Sequence, residues 1–312
     1  MQQFLNDVIK GLSAPQKFLE SKYFYDAQGD ELFRGIMNCP EYYLTNCELE
    51  IFERQTNRLA VCLANGFSTF DVVELGAGDA TKSIFLLKQL VANKVNFNYY
   101  PVDISADVIS LLEHQLPQQV PGLRMHGLNG EYLAMLEKAA SISDKPKAVL
   151  FLGSNIGNFR YEESPAFCKR LRSQLNTGDL VLIGFDLQKD PQVILDAYND
   201  KGGYTRQFNL NLLHRINREL SGNFDVDQFR HFPTYDPSTG ACKSYLVSMA
   251  EQQVEVADRS FNFYKYEPVF MEVSQKYTLT QIDELAAKSG FKPVKHFFDS
   301  KKWFVDAVWE CA

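Results

Sequence analysis

The residues that could do chemistry start at a glycine turn between a predicted strand and a predicted helix. An apolar run through Leu75 reaches Gly76-Ala77-Gly78, and a helical pattern follows. Strand, glycine turn and helix open a nucleotide-binding βαβ unit. A second apolar run ends at Asp103, whose carboxylate is placed to accept hydrogen bonds from a ribose hydroxyl pair.

The composition of this turn favours S-adenosylmethionine (SAM) over a dinucleotide. Thr81 occupies the third glycine position of G-x-G-x-x-G, where glycine allows close packing around a pyrophosphate. Glu74 and Asp79 bracket the turn with negative charge, which would repel phosphates and suit a cationic centre. SAM carries a ribose and a sulfonium and has no phosphate, so we expect SAM as the cofactor.

Charge and hydropathy restrict the class of partner. The net charge of −7 argues against a protein that follows a phosphate backbone. No apolar run approaches the roughly 20 residues of a membrane span, and the N-terminus lacks the basic start and apolar core of a signal peptide. We therefore expect a cytoplasmic protein without nucleic acid or membrane as partner. The oligomeric state is open, and a monomer is compatible with the sequence.

The cysteines and histidines do not predict a metal site. The six cysteines include no C-x-x-C pair, and the five histidines include no H-E-x-x-H motif. Scattered cysteines in a cytosolic chain are most often small buried side chains. We expect no metal.

The order of elements predicts the architecture. Strands and helices alternate over residues 70–187, as in a parallel sheet, and the alternation stops over 188–275. A helix and two β-rich runs of hairpin spacing return at 280–311. We expect an α/β fold with the Rossmann-like sheet of class I SAM-dependent methyltransferases and a terminal antiparallel hairpin. Residues 188–275 are interpreted as an insertion into this sheet domain.

Two local patterns extend this interpretation. Thr45 and Glu48 form a T-x-x-E capping box, which predicts that a helix starts there. The glycine loop Gly153–Asn158 follows a short β-rich run. Because ligands of such sheets bind beyond the carboxyl ends of the strands, this loop is a candidate ligand site.

Ordered motifs along most of the chain resemble one family, the histidine-specific Nα-methyltransferases of ergothioneine biosynthesis. The matching blocks include Tyr23-Phe24-Tyr25-Asp26, Pro40-Glu41-Tyr42-Tyr43, Glu74-Leu75-Gly76-x-Gly78, Pro101-Val102-Asp103-Ile104-Ser105, Phe151-Leu152-Gly153-Ser154-x-Ile156-Gly157-Asn158, Asp186-Leu187-x-Lys189-Asp190-Pro191 and Glu272-x-Ser274-x-Lys276-Tyr277. The resemblance implies an enzyme with a small-molecule substrate, which carries out SAM-dependent methylation, in three steps, of the α-amine of L-histidine to give hercynine. It also implies two domains: residues 61–187 and 276–312 would form the SAM-binding domain, and residues 1–60 and 188–275 a substrate-binding domain.

Site residues follow from the resemblance, position by position. The cofactor would be contacted by seven positions: Glu74, Gly76, Gly78, Lys82, Asp103, Glu131 and Tyr132. Asp103 would hold the ribose, and the Glu131-Tyr132 pair matches a family Asp-Phe near the adenine. Asn158 and Tyr198 would bind the amino and carboxylate groups of the substrate, with Tyr25 nearby, and these three are the expected catalytic residues. Substrate contacts would also come from Tyr42, Gly153, Ser244, Glu272 and Ser274, of which Tyr42, Glu272 and Ser274 would read the imidazole.

Two departures from the family pattern leave other substrates open. Asn155 stands where the family has a small hydroxyl residue, and Ser244 aligns with a methionine beside the imidazole. One alternative is the same chemistry on 5-thiohistidine or an aromatic amino acid. Another is a protein that binds SAM without turnover. A nucleic-acid amino-methyltransferase is disfavoured, because the loop that ends at Asn158 lacks the proline motif of those enzymes.

Overall fold

The structure, a computed structural model, describes residues 2–64 and 66–312. These residues form two compact units. One comprises residues 2–43 and Lys189–Ser274, and the other comprises Leu44–Gln188 and Gln275–Ala312. We refer to them as the mixed unit and the sheet unit.

The elements follow the order that the sequence predicts. Three helices come first: α1 (Gln2–Leu12), α2 (Ala27–Met37) and α3 (Tyr43–Ala64). Strands and helices then alternate: β1 (Thr69–Leu75), α4 (Ser83–Ala92), β2 (Asn96–Asp103), α5 (Ala106–Gln119), β3 (Leu128–Asn129), α6 (Tyr132–Ile142), β4 (Lys147–Phe151), α7 (Ser164–Arg172) and β5 (Leu180–Asp186). After β5 come two helices and five strands: α8 (Pro191–Ala197), α9 (Tyr204–Leu220), β6 (Phe229–Asp236), β7 (Ala241–Ser248), β8 (Gln252–Val256), β9 (Arg259–Phe263) and β10 (Pro268–Gln275). The chain ends with α10 (Leu279–Lys288), β11 (Phe291–Phe298) and β12 (Phe304–Cys311).

The sheet unit contains a seven-stranded sheet in the order β11-β12-β5-β4-β1-β2-β3. The strands from β1 to β5 are parallel, β12 runs antiparallel to β5, and β11 runs antiparallel to β12. This topology confirms the predicted fold class, a class I SAM-dependent methyltransferase sheet with a terminal hairpin.

Burial explains why the central strands read as continuous apolar runs. Every residue of β4 and β5 is buried, as expected for parallel strands covered on both faces. The core includes Phe185, Tyr277 and Trp309, and Phe185 packs against both other rings. These contacts fix β5 and β12 and the chain that enters α10.

The mixed unit has its own core. Its three-stranded sheet has the order β10-β7-β6, and β8 pairs with β9 as a separate hairpin. Leu212 of α9, Leu246 of β7 and Met271 of β10 lie in one buried apolar cluster. The sequence predicted an insertion here but not the full set of strands.

The start of α3 corrects one local prediction. The helix begins at Tyr43, so Thr45 and Glu48 lie inside it and do not form a capping box. Glu48 is fully buried. The division between units falls after Tyr43, whereas the predicted domain boundary falls after residue 60.

Residues 2–64 and 66–312 contain neither a membrane-spanning helix nor a metal-ligating cluster. None of the helices they contain is both long and apolar enough to span a membrane. They also contain no group of three or more histidine, cysteine, aspartate or glutamate side chains that could hold a metal ion.

Candidate active site

The candidate cofactor site lies in the sheet unit, where β1 pairs with β2 on one side and with β4 on the other. The connections leave in opposite directions from this point, and ligands of open α/β sheets bind in the crevice that results. After β1 the chain turns at Gly76, whose φ of 77° is a conformation that favours glycine. The Gly76 amide donates to the carbonyl of Val102 at 2.8 Å, which ties this turn to the end of β2.

Gly76 and Gly153 allow polar side chains to approach the ends of β1 and β4 closely. A Cβ at Gly76 would lie 3.0 Å from the Asn155 Nδ2 and 3.1 Å from the Tyr132 hydroxyl oxygen. A Cβ at Gly153 would lie 3.5 Å from the Lys82 Nζ. The Lys82 ammonium, the Asn155 amide and the Tyr132 hydroxyl therefore lie close to the two glycines. This set of donors fits the amino-acid end of SAM, which carries a carboxylate.

Asp103 ends β2 and joins two loops. Its Oδ2 accepts from the Gly78 amide at 3.1 Å, and its Oδ1 accepts from the Ser105 amide at 2.9 Å. Burial raises the pKa of Asp103 above its ordinary value, although backbone amides that donate to the carboxylate oppose that shift. The carboxylate is thus fixed in orientation beside the glycine turn, as ribose binding would require.

Glu74 and the Glu131-Tyr132 pair lie near the same turn. Glu74 accepts a hydrogen bond from the Tyr99 hydroxyl, and burial raises the pKa of Glu74 to about 7. Glu131 is exposed at the start of α6. The Tyr132 ring packs edge-on against Phe151, with ring centroids 5.4 Å apart, and burial raises the pKa of its hydroxyl. Glu74 is therefore held by β2, while Glu131 is open to solvent.

Lys82 forms an ion pair with Glu48. Its ammonium pairs with the Glu48 carboxylate, which also accepts the Gly153 amide at 2.9 Å on each oxygen. Burial disfavours the Lys82 ammonium, but the Glu48 carboxylate raises the pKa of Lys82 above its ordinary value. Lys82 is thus a held cation at the carboxyl edge of the sheet.

The loop after β4 carries the candidate ligand Asn158. Ser154 has a φ of 58°, and its Oγ accepts from the Asp186 amide at 3.2 Å, which joins the ends of β4 and β5. The following turn, Asn155–Asn158, exposes Asn158. Its side chain is a neutral donor and acceptor at the carboxyl edge of the sheet.

In the mixed unit the structure brings together three of the predicted substrate residues. The Tyr198 hydroxyl donates to the Ser274 hydroxyl at 2.6 Å. The rings of Tyr42 and Tyr198 meet edge-to-face, with centroids 6.2 Å apart. Glu272 lies on β10 two residues before Ser274, and side chains two residues apart on a strand share a face. Two phenols, a hydroxyl and a carboxylate thus come from α8, β10 and the segment before α3.

Ser244 is not part of this group. It lies on β7, two residues from Leu246 and therefore on the same face, and Leu246 packs with Met271 in the core. Glu272 and Ser274 alternate with Met271 along β10, so they lie on the other face. Strand alternation therefore separates Ser244 from the two residues expected to read the imidazole, and we do not assign it to the ring.

Tyr25 lies at the end of a short 3₁₀ turn, with 39% of its surface exposed. Its ring packs edge-on against Phe33 at 5.7 Å and Phe208 at 5.5 Å between centroids. These contacts hold the ring and leave part of the side chain at the surface.

Two residues of the candidate cofactor site, Asn155 and Glu48, are not among the cofactor contacts that the sequence predicts. Asn155 was noted only as a departure, yet its amide faces Gly76. The sequence predicts Glu48 as a capping residue, whereas its carboxylate pairs with the Lys82 ammonium and accepts from the Gly153 amide. A charged residue on the apolar face of α3, beside Ile51 and Phe52, was the signal that could have identified Glu48.

Comparison with known proteins gives a family match over nearly the whole chain. The model of the family described as "Histidine-specific methyltransferase, SAM-dependent" matches residues 4–311. The histidine N-alpha-methyltransferase of Mycolicibacterium smegmatis is 33% identical over 295 residues, covering 94% of this chain and 90% of that protein. Ergothioneine biosynthesis protein 1 of Schizosaccharomyces pombe is 27% identical, covering 89% of this chain and 37% of that protein. The 4-dimethylallyltryptophan N-methyltransferase of Claviceps fusiformis is 29% identical, covering 63% of this chain and 57% of that protein.

Proposed function

Because the chain belongs to the family of histidine-specific, SAM-dependent methyltransferases, we propose that it methylates the α-amino group of L-histidine. Three successive transfers would give hercynine, the trimethylated amino acid. The family match over residues 4–311 is the observation that carries this proposal.

The sheet unit would hold the cofactor. Asp103 is the proposed ribose ligand, Glu131 and Tyr132 the residues nearest the adenine, and Lys82 the partner of the carboxylate. Glu74, Gly76 and Gly78 would shape the turn beside it. When bound, SAM supplies an electrophilic methyl group on a sulfonium.

Methyl transfer to nitrogen needs an amine lone pair in line with the methyl group, so orientation supplies much of the rate. The α-amine of histidine is mostly ammonium at neutral pH and must lose a proton before each transfer. Asn158 is the proposed amine ligand, because a neutral amide orients the nitrogen without a charge that would stabilise the ammonium. Gly153 leaves room at the base of the same loop.

The mixed unit supplies the residues proposed to recognise the amino acid. Tyr198 would bind the substrate carboxylate, with Tyr25 contributing a second phenol. Glu272 would accept the imidazole N–H, and Ser274 and Tyr42 would complete the ring contacts. A substrate with an apolar or indole side chain would leave the Glu272 carboxylate without this hydrogen bond. The loss of that bond is a strong basis for discriminating histidine from other amino acids.

The same chemistry on 5-thiohistidine or an aromatic amino acid is the second candidate. It is motivated by Asn155, which replaces a small hydroxyl residue of the family pattern. A protein that binds SAM without turnover is a third possibility, which the retained Asn158, Tyr198 and Glu272 disfavour.

We further propose that the chain works in a reducing compartment such as the cytoplasm, without nucleic acid or membrane as partner. The six cysteines are all free, as is usual where thiols stay reduced. The oligomeric state stays open, and a monomer is compatible with this fold.

Product analysis tests the proposal. The purified protein is incubated with SAM and an equimolar mixture of L-histidine, 5-thiohistidine and L-tryptophan, and the methylated products are measured by mass spectrometry. We expect mono-, di- and trimethylated histidine to dominate. Dominance of another amine would support the second candidate, and calorimetric SAM binding without any product would support the third.

A further inference from the structure

We propose, building on the proposed function, that Glu48 is a positioning residue for the cofactor. It holds the Lys82 ammonium at the carboxyl edge of the sheet, where that ammonium binds the carboxylate of SAM. Glu48 would therefore act through Lys82, without touching the reacting atoms.

The contacts of Glu48 link the two elements that form the space for the cofactor. Its carboxylate pairs with Lys82, at the start of α4, and accepts the Gly153 amide, at the end of β4. The side chain of Glu48 is 1% exposed and that of Lys82 is 22% exposed. The ammonium thus extends from a buried anion toward the open edge and has three N–H donors to share.

The sheet leaves room for this carboxylate at one position. A Cβ at Gly184, in the middle of β5, would lie 2.3 Å from the Glu48 Oε1. Glycine is otherwise unfavourable inside a buried strand. A side chain at residue 184 would therefore displace the carboxylate, which links Gly184 to the position of Lys82.

The surroundings of Asp306 indicate that Glu48, and not Asp306, carries the negative charge. It pairs with Gly184 across β12 and β5, and its carboxyl faces Glu48. Within the residues that the structure describes, no N–H or O–H group donates to either Asp306 oxygen. Of these two acids, Glu48 is the group that receives the ammonium and the amide, so we assign the negative charge to Glu48 and the proton to Asp306.

The protonation of Asp306 agrees with its surroundings. Burial, and then the negative charge of Glu48, raise the pKa of Asp306 well above its ordinary value. Without the Glu48 charge, Asp306 would ionise more readily and attract Lys82 away from the edge. Neutralising Glu48 should therefore weaken cofactor binding, whereas amidation of Asp306 should preserve the observed arrangement.

Calorimetry on the full chain with two ligands tests this asymmetry. S-adenosylhomocysteine carries the amino-acid end, whereas 5′-methylthioadenosine has the same nucleoside and no carboxylate. For Glu48→Gln we expect S-adenosylhomocysteine to bind about tenfold more weakly, the scale of one charged hydrogen bond. The affinity for 5′-methylthioadenosine should stay within about twofold, and Asp306→Asn should change neither ligand by more than about twofold.

Either of two outcomes with the single variants would overturn the inference. Equal losses of affinity for both ligands in Glu48→Gln would mean that Glu48 only stabilises the fold. A loss of affinity for S-adenosylhomocysteine in Asp306→Asn as large as in Glu48→Gln would contradict the assignment of the charged, positioning role to Glu48 alone. If Glu48→Gln does not fold, the double variant Glu48→Gln/Lys82→Met removes both charges. It should then bind S-adenosylhomocysteine as Lys82→Met does, and a further loss would overturn the inference. No L-histidine is added in these titrations, so the results are independent of the proposed substrate.

Discussion

The Tyr198 hydroxyl donates to the Ser274 hydroxyl at 2.6 Å, joining the end of α8 to β10. Both side chains are 8% exposed. The bond fixes the phenol next to the strand that carries Glu272, so a residue proposed for the substrate carboxylate and one proposed for the imidazole are held together. The first prediction concerns this phenol.

Tyr198→Phe should raise the KM for L-histidine about tenfold, because a hydrogen bond to a charged carboxylate is lost. The dissociation constant for S-adenosylhomocysteine should not change. Steady-state kinetics and calorimetry measure the two quantities. Tyr264→Phe is the matched control, since Tyr264 is 72% exposed, and a KM as high in that variant would show that the effect is not specific to Tyr198.

Asp103→Asn should lower the affinity for S-adenosylhomocysteine about tenfold, because an amide oxygen is a poorer acceptor for ribose hydroxyls than a carboxylate. One side-chain oxygen remains to accept from the Gly78 amide, so the fold should persist. Calorimetry measures the affinity, and Asp107→Asn, on the exposed first turn of α5, is the control. Unchanged binding in Asp103→Asn would remove the ribose assignment.

Glu74 should make the stability of the fold depend on pH. Its pKa is about 7 in the folded state and 4.5 ordinarily, so the folded state keeps a proton that the unfolded state loses between these values. The free energy of unfolding should therefore fall as pH rises through this window, by about 3 kcal/mol for this group. Denaturant titrations at pH 4.5 and 7 measure the change.

Glu74→Gln should remove this component of the pH dependence, since glutamine does not titrate. Glu137→Gln, at an exposed position of α6, should retain the original dependence. The same slope in Glu74→Gln and the unaltered protein would contradict the assignment to Glu74.

Lys276→Met should destabilise the fold by about 3–5 kcal/mol, the cost of leaving one buried charge without its partner. The Lys276 Nζ lies 2.7 Å from the Asp186 Oδ2, and both side chains are fully buried. The exposed pair Lys288–Glu284 provides the control, and Lys288→Met should cost about 0.5 kcal/mol or less. Similar midpoints of denaturation for the two variants would show that the buried pair contributes little.

Local chemistry determined the elements that the sequence predicted well. Ser105 caps α5 by accepting from the Val108 amide, and Asp190 caps α8 by accepting from the Gln192 amide. The terminal hairpin turns at Asp299, whose carboxylate accepts three backbone amides, from Lys301, Trp303 and Phe304. Each of these contacts involves residues within five positions, so local turn chemistry is sufficient to predict a feature such as the terminal hairpin.

Long-range contacts determined what the sequence missed. The T-x-x-E pattern at Thr45 is also compatible with a helix interior, and the partner of Glu48 at Gly153 is 105 residues away. The family pattern predicts Ser244 at the imidazole, but a shift of one residue on a strand moves a side chain to the other face. Burial and strand face are set by the folded sheet, and motif spacing does not report them.

Titration of L-histidine into the complex with S-adenosylhomocysteine, for the unaltered protein and for Glu272→Gln, tests the proposed substrate most directly. Glu251→Gln, at an exposed position, serves as the control. We expect saturable binding that falls about tenfold or more in Glu272→Gln alone, with the affinity for S-adenosylhomocysteine unchanged. Absence of histidine binding to the unaltered complex would contradict the proposed substrate, and equal binding to both proteins would contradict the role of Glu272 in recognising the imidazole.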